Sequence, residues 1–109
     1  MKLPLHPAAV AELNDAVDYL EDQRSGFGGL LFEEVSRRIA QAARFPKSGA
    51  PISGFPERHD VRQFVVRRFR YIVVTALERN RRFVVAVAHT SRAPGYWRDR
   101  LKVVEDTPG

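Results

Sequence analysis

The stretch Tyr71-Ile72-Val73-Val74-Thr75-Ala76-Leu77-Glu78-Arg79-Asn80-Arg81-Arg82-Phe83-Val84-Val85-Ala86-Val87-Ala88-His89 decides the fold. Its two outer thirds, Tyr71 to Leu77 and Phe83 to His89, are rich in β-branched and aromatic residues, the composition of a pleated, half-buried surface. Between them lies the polar run Glu78 to Arg82, in which Asn80 tolerates left-handed backbone geometry. Two strand-like runs joined by such a turn predict a β-hairpin. Simple alternation along the second run groups Phe83, Val85, Val87 and His89 on one side of the strand. A third strand is predicted just upstream, over Val61 to Val66.

Upstream of these strands the periodicity changes from two to three and four. Pro7 sits where a first helical turn tolerates proline, and Val10, Leu13, Val17 and Leu20 then recur on one stripe, with Glu12, Asp15, Asp18, Glu21 and Asp22 turned mostly to the other sides. Ser25 to Gly29 breaks this helix. A second one carries Leu31, Phe32, Val35, Ile39 and Ala42 on its apolar stripe and stops at Phe45, because Pro46 disfavours helical geometry in the residue before it. The short break predicts an antiparallel helical hairpin. Lys47 to Asp60 carries Gly49, Pro51, Gly54 and Pro56 without periodicity and reads as a long surface loop. Lys2 to Leu5 is at most a short edge strand, since Pro4 lacks an N–H. Leu101 to Gly109 reads as a short helical end and a frayed tail. The order βααβββ, with helices together and strands together, predicts an α+β fold in which a helical hairpin packs on one face of an antiparallel sheet.

A chain of 109 residues fits one domain spanning 1–109 and one core. Cysteine is absent, which leaves neither a disulfide framework nor a thiolate metal site. No apolar run approaches the roughly 20 residues of a membrane span, and the first residues lack the long apolar region of a signal peptide. The expected compartment is the cytoplasm, with no membrane partner. His6, His59 and His89 lack metal-ligand spacing, no glycine-rich loop leads from a strand into a helix, and no Ser-His-acid set is suggested. No cofactor and no metal are expected.

The net charge of +5 is unevenly distributed. Residues 61–100 hold ten arginines against Glu78 and Asp99, whereas residues 1–60 hold seven Lys and Arg against nine Asp and Glu. Every cation of the basic part is arginine, the side chain that pairs in two-pronged fashion with phosphate or carboxylate and stacks on aromatic planes. Such a surface calls for an acidic partner: nucleic acid, a nucleoprotein complex or an acidic protein.

The last strand runs into His89-Thr90-Ser91-Arg92-Ala93-Pro94-Gly95-Tyr96-Trp97, a cluster that turn chemistry alone does not require. His89 at the strand end reads as a hydrogen-bonded structural group, and Trp97 as an anchor of the terminal segment. Arg92 reads as functional. Arg67, Arg68 and Arg70, at the turn between the second and third strands, and Tyr96 and Arg98 join it as candidate target- or partner-binding residues.

The pattern His89-x-x-Arg92-x-Pro94-x-Tyr96-Trp97 after a hydrophobic strand resembles the C-terminal signature of the RelE/ParE superfamily, the small toxins of type II toxin–antitoxin pairs. Tyr19-Leu20, Gly28-Gly29-x-x-Phe32, Phe45-Pro46 and Arg68-Phe69-Arg70-Tyr71 extend the resemblance over nearly the whole chain. The resemblance implies a growth-inhibiting toxin associated with plasmid stabilisation and neutralised by a cognate acidic antitoxin. In the ParE branch the implied target is DNA gyrase. In the RelE branch it is messenger RNA on the ribosome, and the chain would then be an endoribonuclease with Arg92, Arg70 and Tyr96 as candidate catalytic groups. The RelE set is incomplete here: its strand-three arginine falls at Tyr71, its strand-two lysines have no counterpart because Val61 to Arg70 contains no Lys, and its tyrosine stands farther from the C-terminal arginine than Tyr96 does from Arg92. A ParE-like toxin is the expectation, with the ribonuclease and a non-toxic basic binding module as alternatives.

Overall fold

The computed structural model describes residues 3–101. Helix α1 spans Pro7–Gln23 and helix α2 Phe27–Arg44; the strands are β1 (Ala50–Pro51), β2 (Arg62–Val66), β3 (Tyr71–Glu78) and β4 (Arg81–His89), and a 3-10 turn covers Arg98–Leu101. The four strands form one antiparallel sheet in the order β1-β2-β3-β4. The architecture is α+β, a helical hairpin on one face of the sheet. Among the described residues, no helix is long and apolar enough to cross a membrane.

Local chemistry accounts for the helix ends. Pro7 opens α1, and the His6 ring nitrogen Nδ1 accepts the Ala8 N–H at 3.0 Å. Helix α2 begins after Gly26, whose φ of 91° suits glycine. It has no side-chain cap of its own at that residue. Instead the Glu21 carboxylate accepts the N–H groups of Gly26 and Gly28, at 2.9 and 3.0 Å, and places negative charge at the helix N-terminus. Gly28 also lets the two helices approach closely, for a Cβ there would lie 2.6 Å from the Val17 carbonyl oxygen.

The helix-side core joins Ala9, Leu13, Ala16, Leu31, Val35 and Ala42 to Phe64, Val66, Val73, Val84 and Val87 of the sheet. Two expected stripe residues are not part of it: Val10 is 43% exposed and Phe32 52%. Small Ala9 and Ala16 take the inward positions, and α1 is rotated accordingly. The opposite face of the sheet is buried as well, with Val61, Val74, Ala76, Val85, Ala86 and Ala88 packed under Trp97, Leu101 and the loop residues Ile52 and Phe55.

The hairpin is tighter than its sequence suggests. Glu78 pairs with Arg81, and Arg79 and Asn80 both take positive φ, 51° and 65°, as a two-residue type I′ turn requires. Within it Thr75 faces Val84 and Val74 faces Ala86, which leaves Val85 as the extra residue of a β-bulge. The bulge reverses the alternation. Phe83 and Val85 face the loop side, whereas Val87 belongs to the helix-side core and His89 lies beside Tyr71, so these four residues do not share one side.

Among the described residues of the expected edge strand, Lys2 to Leu5, Leu5 forms an isolated parallel bridge to Val84. The loop expectation for 47–60 meets a partial correction, because Ala50–Pro51 pairs with β2 and two 3-10 turns, Pro46–Ser48 and Glu57–His59, flank it. Of the expected helical end and frayed tail, residues 102–109 lie outside the described residues.

Candidate functional site

The exit of β4 is held by a polar knot centred on Glu12 of α1. Arg100 donates to both carboxylate oxygens at 2.9 Å, the Tyr96 hydroxyl donates to Oε2, and the Val87 amide donates to Oε1 at 3.0 Å. Arg100 also donates to the Val85 carbonyl at 3.0 Å. The bulge has turned these two backbone groups to the outer edge of β4, where no strand meets them, and the Glu12–Arg100 pair supplies what a neighbouring strand would have supplied. Burial raises the Glu12 pKa, but the bonds from Arg100, Tyr96 and the Val87 amide, with the Arg100 charge, outweigh it, and the net shift is downward. Tyr96 is pushed the other way, up to about 12, by burial, by its bond to Glu12 and by that carboxylate's charge.

On this knot sits Arg92. It is exposed, and its guanidinium lies 3.8 Å from the centre of the Tyr96 ring, stacked on the face of the phenol. His89 is fixed beside it: Nδ1 accepts the Ser91 N–H at 3.0 Å and lies 2.7 Å from the Ser91 hydroxyl, and the ring meets Tyr71 edge-on. An acceptor Nδ1 assigns the ring proton to Nε2. A cleft of about 270 Å³ opens between α1 and the sheet, lined by Glu12, Asp15, Tyr19, Tyr71, His89 and Arg92.

Arg67, Arg68 and Arg70 occupy the turn from β2 to β3, where Arg68 takes a φ of 73°. The Thr90 amide donates to the Arg70 carbonyl at 2.8 Å, so this turn lies directly beside the exit of β4. All three side chains are exposed, as is Arg92. The two segments together present four arginines at one end of the sheet. Arg98 is engaged elsewhere, over the Phe55 ring and on the Gly54 carbonyl at 3.2 Å. Trp97 is buried at 3% exposure and stacks on Phe55 with ring centres 5.2 Å apart.

Sequence reasoning missed two groups. Glu12 looked like one of several acids on a solvated face, and Arg100 like one of many surface arginines; 88 positions separate them, and no local signal couples them. The second group fastens the loop. Asp60, at a φ of 39°, binds Lys47, Arg62 and Arg82. Burial raises its pKa, but the bonds from these three cations prevail and hold the carboxyl down at about 2. Arg82 reaches on to the Thr75 hydroxyl at 3.1 Å, and the neighbouring His59 ring, fully buried, lies 3.0 Å from the Leu77 carbonyl.

Tyr96, the phenol under Arg92, donates inward to Glu12 and has its pKa raised. What the four-arginine edge offers is a set of exposed guanidinium groups, that of Arg92 backed by the Tyr96 ring, suited to an anionic or carbonyl-rich surface. In comparison with known families, residues 3–94 match the family described as ParE toxin of type II toxin-antitoxin system, parDE. No curated protein matches the chain.

Proposed function

We propose that this chain, which belongs to the ParE toxin family of type II toxin–antitoxin systems, inhibits growth by acting on DNA gyrase and is held inactive by an acidic antitoxin. The observation that carries the choice of target is the state of Tyr96. A tyrosine that serves as acid or base in RNA cleavage must give up or receive a proton near the working pH. Here the hydroxyl is bonded to a carboxylate and its pKa is raised to about 12, which opposes ionisation.

The arginine edge then acts as a recognition surface. Arg92, stacked on Tyr96, and the Arg67, Arg68 and Arg70 turn next to it contact the target, while Arg98, held on Phe55 and the Gly54 carbonyl, stands apart from this edge. Such a surface fits gyrase engaged with DNA, whose phosphates attract guanidinium groups. Binding through several guanidinium groups weakens as salt rises.

The test is induced expression followed by separate assays of DNA supercoiling and of message integrity on ribosomes. The gyrase reading expects loss of supercoiling with messages intact. Ribosome-dependent cleavage with normal supercoiling would replace it with the endoribonuclease reading, and an absence of growth inhibition would favour a non-toxic basic binding module.

A further inference from the structure

Two grooves without carboxylates meet at Gln63. The first, of about 310 Å³, lies on the loop-side face of the sheet between Ile52, Ile72 and Trp97, with Arg92 and Thr90 in its wall. The second, of about 400 Å³, is formed by Arg38 and Gln41 of α2 against Phe64, Val65 and Arg67. Val61 belongs to the loop-side core, and the period of two puts Gln63 on the same face, where it lines both grooves. Among the described residues, no Asp or Glu lines either one. The other grooves that these arginines wall are acidic: Arg67 shares one with Glu33 and Glu34, and Arg92 shares the α1 cleft with Glu12 and Asp15. An anion that approaches Arg67 and Arg92 therefore meets least repulsion from the Gln63 side.

Arg38 supplies an independent sign. Its Nε is buried and has no hydrogen-bond partner among the described residues. A buried guanidinium N–H without an acceptor is costly, and each such group calls for an explanation. An anionic oxygen in the groove completes it. Arg67 lines the same groove and is exposed, so a second guanidinium is at hand for the same anion.

We propose that the two grooves form one track for the sugar–phosphate backbone of DNA, with one phosphate on Arg38 and Arg67 and another on Arg92. This rests on the gyrase reading, which supplies DNA as the polyanion, and deepens it: the arginines touch the DNA that the enzyme holds, and Arg38 of α2 joins them. A sugar–phosphate backbone suits the track because it alternates anionic and apolar groups. The phosphates take the guanidinium forks, and the sugars pack on Ile52, Ile72 and the exposed Val65. Between them the Gln63 amide is a neutral donor for a phosphate oxygen. An acidic polypeptide fits less well, since the face of a sheet presents side chains and a peptide laid across it finds no backbone ladder to join.

The experiment measures binding of the purified full chain, without gyrase, to a short fluorescently labelled DNA duplex, to one of its strands and to RNA of the same sequence, over a range of salt. Arg38→Met keeps the aliphatic stem and removes the orphan N–H. It should melt no lower than the parent yet bind DNA about tenfold more weakly, with the slope of log affinity against log salt flattened by about one. Gln63→Glu, which sets a carboxylate where the grooves meet, should also weaken binding about tenfold; Arg38→Met decides the matter if that variant does not fold. Arg81→Gln, exposed at the far end of β4, should change binding by less than about twofold. DNA binding that Arg38→Met leaves as in the parent, or that Arg81→Gln lowers as much, overturns the track. A chain that blocks supercoiling but binds none of the probes overturns it too, and leaves the gyrase reading standing. Arg38-dependent DNA binding by a chain that leaves supercoiling untouched supports the track and removes gyrase as the target. Tighter binding of the RNA, with message cleavage on ribosomes, overturns both. Weaker capture of the neighbouring acidic protein by Arg38→Met, with DNA binding unchanged, assigns the groove to that protein and overturns the track.

Discussion

Glu12 and Arg100, 88 residues apart in sequence, meet through two 2.9 Å hydrogen bonds and close the outer edge of β4. With both side chains largely buried, at 15% and 17% exposure, removing one partner strands the other. Glu12→Ala leaves Arg100, the Tyr96 hydroxyl and the Val87 amide without their acceptor and should cost about 3 kcal/mol of stability, read from the denaturant midpoint. The Glu12 pKa is lowered in the fold, so its contribution is present above the ordinary value of 4.5 and is lost as pH falls below it. The gap in melting temperature between parent and Glu12→Gln should hold steady from neutral pH down to about 4.5 and narrow below it.

Tyr96 behaves oppositely. Its pKa rises from 10 to about 12, so its contribution is full below pH 10 and is lost as pH climbs from 10 through 12. Titrating phenolate absorbance should show a late-ionising tyrosine that is missing in Tyr96→Phe. That variant forfeits a hydrogen bond to a carboxylate and should lose roughly 1.5–3 kcal/mol, yet keep growth inhibition once stability is allowed for. Toxicity abolished in a well-folded Tyr96→Phe would return the phenol to the list of catalytic groups.

At Asp60 one carboxylate serves Lys47, Arg62 and Arg82, the last only 9% exposed. Asp60→Asn should cost about 3 kcal/mol and expose the 47–60 loop to limited proteolysis. Since the pKa falls from 3.8 to about 2, this contribution holds above pH 3.8 and disappears as pH drops toward 2. The parent should resist protease at pH 5 about as well as at neutrality; equal cleavage of parent and variant would show that the loop is held by other contacts.

Trp97 anchors the terminal segment by stacking on Phe55. Truncation to alanine should cost about 3–5 kcal/mol. A Trp97→Ala protein that melts like the parent but no longer inhibits growth would move the indole from packing to recognition.

Much of this was legible from residue patterns, and the failures share a cause. Strands β2 to β4, the helical hairpin and the stop before Pro46 follow from local propensity and periodicity. The Val85 bulge does not, because it depends on register between two strands, and it is what separates Val87 and His89 from Phe83. Likewise the chain shows that Arg70 and Arg92 belong near a strand turn and a strand exit, but the Thr90–Arg70 bond that makes one edge of them is tertiary. Glu12 and Asp60 were indistinguishable from surface acids for the same reason: what marks them is the set of distant cations around them.

The central claim is that Arg92 belongs to a recognition edge directed at gyrase, with no cleavage chemistry of its own. Because Arg92 is exposed and its contact is the Tyr96 ring face, Arg92→Ala should change stability by no more than about 1 kcal/mol. The decisive measurement is supercoiling by purified gyrase in the presence of the parent and of Arg92→Ala, with ribosome-programmed message cleavage run on the same preparations. The account predicts that the parent blocks supercoiling, that Arg92→Ala blocks it at least tenfold less effectively, and that neither cleaves message. Message cleavage by the parent that vanishes in Arg92→Ala, with supercoiling untouched by both, would contradict it.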